Sequence, residues 1–437
     1  MRKSICVIFV LFLLAISSLD VEANVTTSIA EEKNHLSFSL TKQKYNNNLL
    51  EINESHIIDN PRIPYVSQET GFYCRFASLT MIIKYYVENA TLNDILFNSG
   101  IGYTLAYFRP LKIHPLPGIM ICQWEDFSGE FIAPLYGLSY ERWTAKNQED
   151  KWHQYWPKLK EKINQDTPIL TDVDPFALPW YKDHINTSNE THDSHSIVIV
   201  GYNESANIVY YNDPGPTVGG ESENNCSYVP LSLDDFRDGL KNNTIQITSY
   251  MLENFEKNTN PKSKEEIFNI SHERNIQRLK GNYSEPIFNI IPLTDYGLKA
   301  VKSIRKDAGI GLKHRFSTLL LMKFFNIMNY TIPIGPSKGD LQASQILKII
   351  AIEKQNMSKY LLENQDSSLL CIMEGELLAK EASHWYNLSE LDNELFKACS
   401  EGPIKSWFRS ISIFNQIKKE LDEIICIEEE IIKGFAQ

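Results

Sequence analysis

The sequence predicts an α+β first half followed by an all-α second half, and three observations carry that division. His195-Ser-Ile-Val-Ile-Val-Gly201 is a continuous apolar run, followed after a short polar turn by a second strand-like run, Ile208 to Tyr211. Such a pattern marks a hairpin whose first strand is buried on both faces. Ile63 to Tyr86 passes from an extended entry into a helical pattern, with Leu79, Ile82, Ile83 and Tyr86 spaced to share one helix face. From about Thr294 onward, long periodic stretches with few breakers replace the mixed pattern, as expected of an antiparallel helical bundle.

Taken in order, residues 1–23 read as a signal peptide. Arg2 and Lys3 form its charged start, Ile5 to Leu14 its apolar run and Val21-Glu22-Ala23 its cleavage site. The apolar run is short for a bilayer span, and no later stretch reaches the needed length; Leu319 to Met328 is broken by Lys323 and Asn326. Residues 24–60 are polar and Asn-rich, a linker or loosely attached arm. The globular part is expected to open at Pro61-Arg62-Ile63-Pro64, where two prolines hold the chain extended.

Asn89 to Asp150 is mixed, and its conformation is poorly specified by its residues. Lys151 to Asn164 reads as an amphipathic helix with Trp152, Tyr155, Trp156, Leu159 and Ile163 on one stripe, Pro157 implying a kink or a late start. Pro168 to Val173 is a strand, and the two prolines of Asp174 to Trp180 forbid regular structure. The α+β domain is therefore placed at 61–253, a charged linker or surface excursion at 254–293 and the helical bundle at 294–437. The helices expected there are Tyr296 to Ile310, Leu312 to Met328, Asp340 to Glu363, Glu374 to Cys399 and Ile411 to Gly434.

At 437 residues and 43% hydrophobic content the composition is that of a globular protein of more than one domain. A formal charge of -12 with no dense Lys/Arg run argues against nucleic acid or an anionic membrane surface as partner. Asn-x-Ser/Thr sequons at Asn53, Asn89, Asn186, Asn189, Asn203, Asn225, Asn282, Asn329, Asn356 and Asn387 agree with export, giving a secreted or cell-surface glycoprotein. Beyond Cys6 in the leader, Cys74, Cys122, Cys226, Cys371, Cys399 and Cys426 contain no CxxC pair, so a zinc ribbon is not expected and the disulfide pattern stays open.

Cys74 falls at or just before the start of the helical pattern. The positive end of a helix dipole favours a thiolate over a thiol, which suits a nucleophile; the alternative is a buried core cysteine or half a disulfide. A turn centred near Glu204 or Ser205 sets His195 opposite residue 213 or 214, and facing side chains on an antiparallel pair lie about 5 Å apart at Cβ. Asp213 can therefore orient the imidazole, as can Asn212 next door; otherwise the acid of the Asp-Pro turn satisfies only its own backbone. Asp183, His184, His192, Asp193 and His195 supply metal-ligand types, but the His192-x-x-His195 spacing needs a helix where the pattern gives loop and strand. No metal and no cofactor are expected.

Gln68, six residues before Cys74, with Ala77-Ser-Leu-Thr-Met81 after it, resembles the opening of peptidase C39-like domains, which are papain-like cysteine peptidases. His195-Ser-Ile-Val-Ile-Val-Gly-Tyr and Tyr-Asn-Asp213-Pro resemble that family's His strand and Asp-Pro turn. The resemblance implies a papain-like fold, a peptide or amide substrate, catalysis by Cys74, His195 and Asp213, and an oxyanion hole from the Gln68 amide and the Cys74 N–H. It breaks at Arg75, where the family has Gly, and where a side chain could crowd or recognise substrate. More loosely, Pro168 to Asp174 with Leu178-Pro179-Trp180 and the helical second half resemble butirosin biosynthesis protein H and its relatives. Those proteins pair a papain-like N-terminal domain with a helical one, and the named member is an acyltransferase using an acyl carrier protein.

Three functions follow. A secreted cysteine hydrolase of peptidase or amidase type is favoured, because an exported chain would not meet an acyl carrier protein. An acyltransferase or transpeptidase on the same residues is the second, and a catalytically inactive surface-binding protein the third. Substrate identity and the role of the helical half are not legible.

Overall fold

The computed structural model describes residues 54–68, 73–108, 119–121, 129–145, 150–179, 181, 194–215, 226–243, 250–282, 294–313, 343–363, 369–400 and 403–435. The leader, Cys122, Asp183, His184, His192, Asp193 and most of the expected Leu312 to Met328 helix lie outside them.

The run predicted as a doubly buried strand is β6, formed by the nine residues His195–Asn203. It is the centre of a sheet that also contains β1 (Ser55–Ile57), β4 (Leu138–Thr144), β5 (Ile169–Val173), β7 (Ile208–Asn212), β8 (Val229–Ser232) and β9 (Met251–Lys257). The order is β4-β9-β5-β6-β7-β8, with β1 pairing to the far end of β6, and all pairs are antiparallel. Among the described residues the sheet thus takes in Ser55–Ile57, before the expected prolines, because β1 completes the β6 edge beyond the end of β5.

Helix α1 (Cys74–Tyr86) packs across β6, with every residue from Arg75 to Ile83 buried. It is a central helix covered nearly all round, more enclosed than the single apolar stripe predicted. Beside it stand α2 (Leu92–Ser99), whose start is held by a Thr91–Asp94 capping box, and α3 (Gly129–Leu135). Helix α4 (Lys151–Ile163) begins where predicted and keeps Pro157 inside it. After β5 a single 3₁₀ turn, Pro175–Ala177, is capped by Asp174. Helix α5 (Leu233–Asn242) packs on that turn and on β5.

Within the range expected as a linker or surface excursion, the described residues 254–282 include regular elements. Asn254 to Lys257 belong to β9, and Lys264–Leu279 form α6, started by a Ser263–Glu266 capping box. Polar side chains of this stretch are partnered inside the fold: Arg278 Nη1 donates to Ser99 O at 2.6 Å and Asn275 Nδ2 to Phe97 O at 2.9 Å. Gly100 ends α2 in the left-handed region (φ 78°), and a Cβ there would strike the Arg278 guanidinium.

The second half is helical, with α7 (Gly297–Lys313), α8 (Ala343–Glu363), α9 (Leu369–Ser400) and α10 (Pro403–Gly434). Helices α9 and α10 start earlier than expected, α10 with a proline in its first turn, where no helical N–H is needed. The bundle also takes in strands. β10 (Thr294–Tyr296) pairs with β2 (Leu105–Phe108), which pairs with β3 (Ile119–Ile121). Leu105 and Tyr107 sit in the bundle core, while Met357, Leu361, Leu378 and Ile427 of the helices reach the core under the main sheet. Among the described residues no helix is long and apolar enough to cross a membrane. The Asn356 sequon lies mid-helix in α8 with its Ser358 fully buried.

Candidate active site

Cys74 is the first residue of α1 and half-buried. Tyr73 before it makes no side-chain cap, and no acid occupies the first turn, so the positive end of the helix is not neutralised by a neighbouring carboxylate of that turn.

His195, at the start of β6, is buried, and its Nε2 lies 2.7 Å from Asp213 Oδ1. The expected contact forms, although the register is slightly different. The turn spans Glu204 to Asn207, later than expected, and a bulge falls between Ile199 and Gly201. Continuing the Val198↔Asn212 pairing sets Gly215, not Asp213, opposite His195. Asp213 bridges this offset because its own carboxylate also accepts the Gly215 N–H at 2.9 Å, and its N–H is anchored on Cys226 O at 2.8 Å. Asn212 does not share the role: its Oδ1 accepts the Tyr228 N–H at 2.7 Å.

With Nε2 committed to Asp213, the imidazole also hydrogen-bonds Cys74. Burial alone would lower the titration point of His195; the Asp213 carboxylate, its hydrogen bond and the Cys74 contact outweigh that and push it up to about 10. The Tyr181 ring covers the imidazole, with centroids 5.5 Å apart.

Gln68 is buried beside the same turn. Its N–H donates to Pro214 O at 2.8 Å, its Nε2 to Gly215 O, and its Oε1 has no hydrogen-bond partner among the described residues. Residues 69–72 lie outside the description.

Arg75 does not face a substrate. It is turned inward, with Nη2 2.7 Å from both Glu253 oxygens and Nη1 3.6 Å from Asp172 Oδ2. Burial disfavours its charge, but Glu253 and Asp172 hold its pKa above the ordinary value. Arg142 reaches Glu253 from the rim at 3.1 Å. Two cations thus balance two carboxylates, the condition under which buried charge is tolerable. The one local signal of this cluster is Asp172 inside the apolar strand Ile169–Val173, since a buried acid needs a partner.

The described residues contain no group of metal-ligating side chains. The arrangement holds a thiol at a helix N-terminus, an imidazole in contact with it and a carboxylate behind the imidazole, the nucleophile, base and orienter of covalent acyl transfer.

Residues 61–232 match the model of the Peptidase_C39 like family. The chain is also similar to Uncharacterized protein YobF of Bacillus subtilis (strain 168), 26% identical over 172 residues, 38% of this chain and 47% of that protein. It therefore spans about half the length of that relative.

Proposed function

We propose, from the likeness of residues 61–232 to the Peptidase_C39 like family and from the geometry around Cys74, that this protein is a secreted or cell-surface cysteine hydrolase acting on a peptide or amide bond. The observation that carries the reading is the His195 Nε2 to Asp213 Oδ1 contact of 2.7 Å on an imidazole that also bonds Cys74.

His195, its titration point raised to about 10, takes the Cys74 proton and holds it as imidazolium. The Cys74 thiolate attacks the carbonyl carbon, forming a C–S bond and an oxyanion. The Cys74 N–H and the second amide hydrogen of Gln68 stabilise that oxyanion; loss of one such donor typically costs about 10²-fold or more in rate. Collapse breaks the C–N bond, and His195 gives its proton to the departing amine. The now neutral imidazole takes a proton from water, which attacks the thioester, breaks the C–S bond and restores the thiolate. Asp213 holds the ring and stabilises its charged form.

The test is alkylation of Cys74 by iodoacetamide at pH 6, in the intact protein and in His195→Ala. A tenfold or greater drop in the variant is the expected result. Equal rates would sink the pairing of Cys74 with His195 as its base. Incubating a reactive peptide with and without an added amine separates hydrolysis from transfer, since only transfer gives the aminolysis product.

A further inference from the structure

The residue after each member of the Cys74–His195 pair is tied to one buried carboxylate. Arg75 follows Cys74, and its Nη1 lies 3.6 Å from Asp172 Oδ2. Ser196 follows His195, and its hydroxyl donates to Asp172 Oδ1. A third tie closes the figure: Ser78, one turn along α1 from Cys74, donates from Oγ to Ser196 O at 3.0 Å. Asp172 sits in β5, the neighbour of β6, on the residue paired with Ser196.

We propose that Asp172 is a positioning residue that fixes the separation of Cys74 and His195 by holding Arg75 with one oxygen and Ser196 with the other. This rests on the cysteine-hydrolase reading of the same site. A proton-transfer pair needs its two heavy atoms within hydrogen-bond reach, and errors of about 0.5 Å are enough to degrade such a site.

The groups around Asp172 fit this assignment. From α1 it meets Arg75, from β6 Ser196, and from α4 Tyr155, whose hydroxyl reaches Thr171 Oγ1 at 3.0 Å. Beyond Arg75 stand Glu253 of β9 and Arg142 and Tyr140 of β4. Both Glu253 oxygens accept from the single nitrogen Nη2 of Arg75, which leaves Nη1 for Asp172. Arg75 therefore does the work of an internal strut, in place of a small residue that would leave α1 untied at its active end.

The measurements are the His195 imidazole titration by NMR and the His195-dependent part of Cys74 alkylation at pH 6, in the full chain and in Asp172→Ala, Asp172→Asn and Ser196→Ala. Circular dichroism and thermal melting establish that each is folded. Expected are a parent midpoint near 10, a fall of about one unit or more in Asp172→Ala as the Cys74 contact loosens, and an alkylation rate lower by about tenfold. Asp172→Asn, which keeps the acceptor for Ser196, should lie between, and Ser196→Ala should shift the midpoint in the same direction. A folded Asp172→Asn or Ser196→Ala with lowered melting temperature but parental titration and alkylation would overturn the inference, since a merely structural tie moves stability alone. If the parent protein itself shows no His195-dependent alkylation, the hydrolase reading fails and takes this inference with it.

Discussion

Among the described residues stand two buried histidine–carboxylate pairs, and only one of them has the surroundings of a catalytic site. His195 and Asp213 approach to 2.7 Å, and His272 and Glu374 to 2.6 Å. Behind the first, the imidazole meets a thiol at a helix N-terminus. Around the second, the imidazole of α6 stacks with Phe97 and Phe268 and meets Phe435 edge-on, while Glu374 of α9 also accepts Tyr103 OH at 2.7 Å. The second pair joins the two halves of the molecule. A carboxylate beside an imidazole is therefore a way of satisfying buried polar atoms, and chemistry begins only where a nucleophile occupies the imidazole's other side.

The sharpest way to break this contrast is to disable each pair in turn. Asp213→Asn should lower hydrolysis of any accepted peptide or amide by about 10³-fold, through loss of the orienting charge, while leaving the fold intact. A rate within threefold of the parent would show that Asp213 has no more catalytic weight than Glu374. Next in size, Glu374→Ala should destabilise the protein by about 2–3 kcal/mol in denaturant unfolding, because buried donors on Tyr103 and His272 lose their acceptor. Its alkylation of Cys74 should match the parent. A slowed alkylation with unchanged stability would reverse the roles assigned to the two pairs.

The smallest effect is the pH dependence of stability. The His195 pKa is raised in the folded protein to about 10 from an ordinary 6.5. The folded state then binds more protons than the unfolded state between those values, so the stabilisation is full below about 6.5 and is lost as pH rises through about 10. The melting temperature should fall by a few degrees across that window, and Asp213→Asn should flatten the fall. An equally steep decline in the variant would assign it to other groups.

The hairpin carrying His195 and Asp213 was legible because a short turn limits register to within a residue or two, and the pair survived the actual offset through Asp213's bond to Gly215. Cys74 at a helix start was legible from apolar periodicity. Arg75 was not, because its direction depends on Glu253, 178 residues away, and on Asp172 in a strand between them. Nor was the order of residues 254–279, whose charged side chains look solvated until their partners in α2 and α9 are known.

The sequence by itself determined the local and near-neighbour features: a buried strand run, a helix with cysteine at its head, a hairpin bringing imidazole to carboxylate and a helical second half. These depend on patterns a few residues long and on short-range chain geometry. Only the tertiary structure decided that β10 joins β2 and β3, that α6 fastens the two halves and that Arg75 points inward to Asp172 and Glu253. Pairings across long stretches of chain are chosen by burial and charge balance in the assembled core, and no local pattern encodes them.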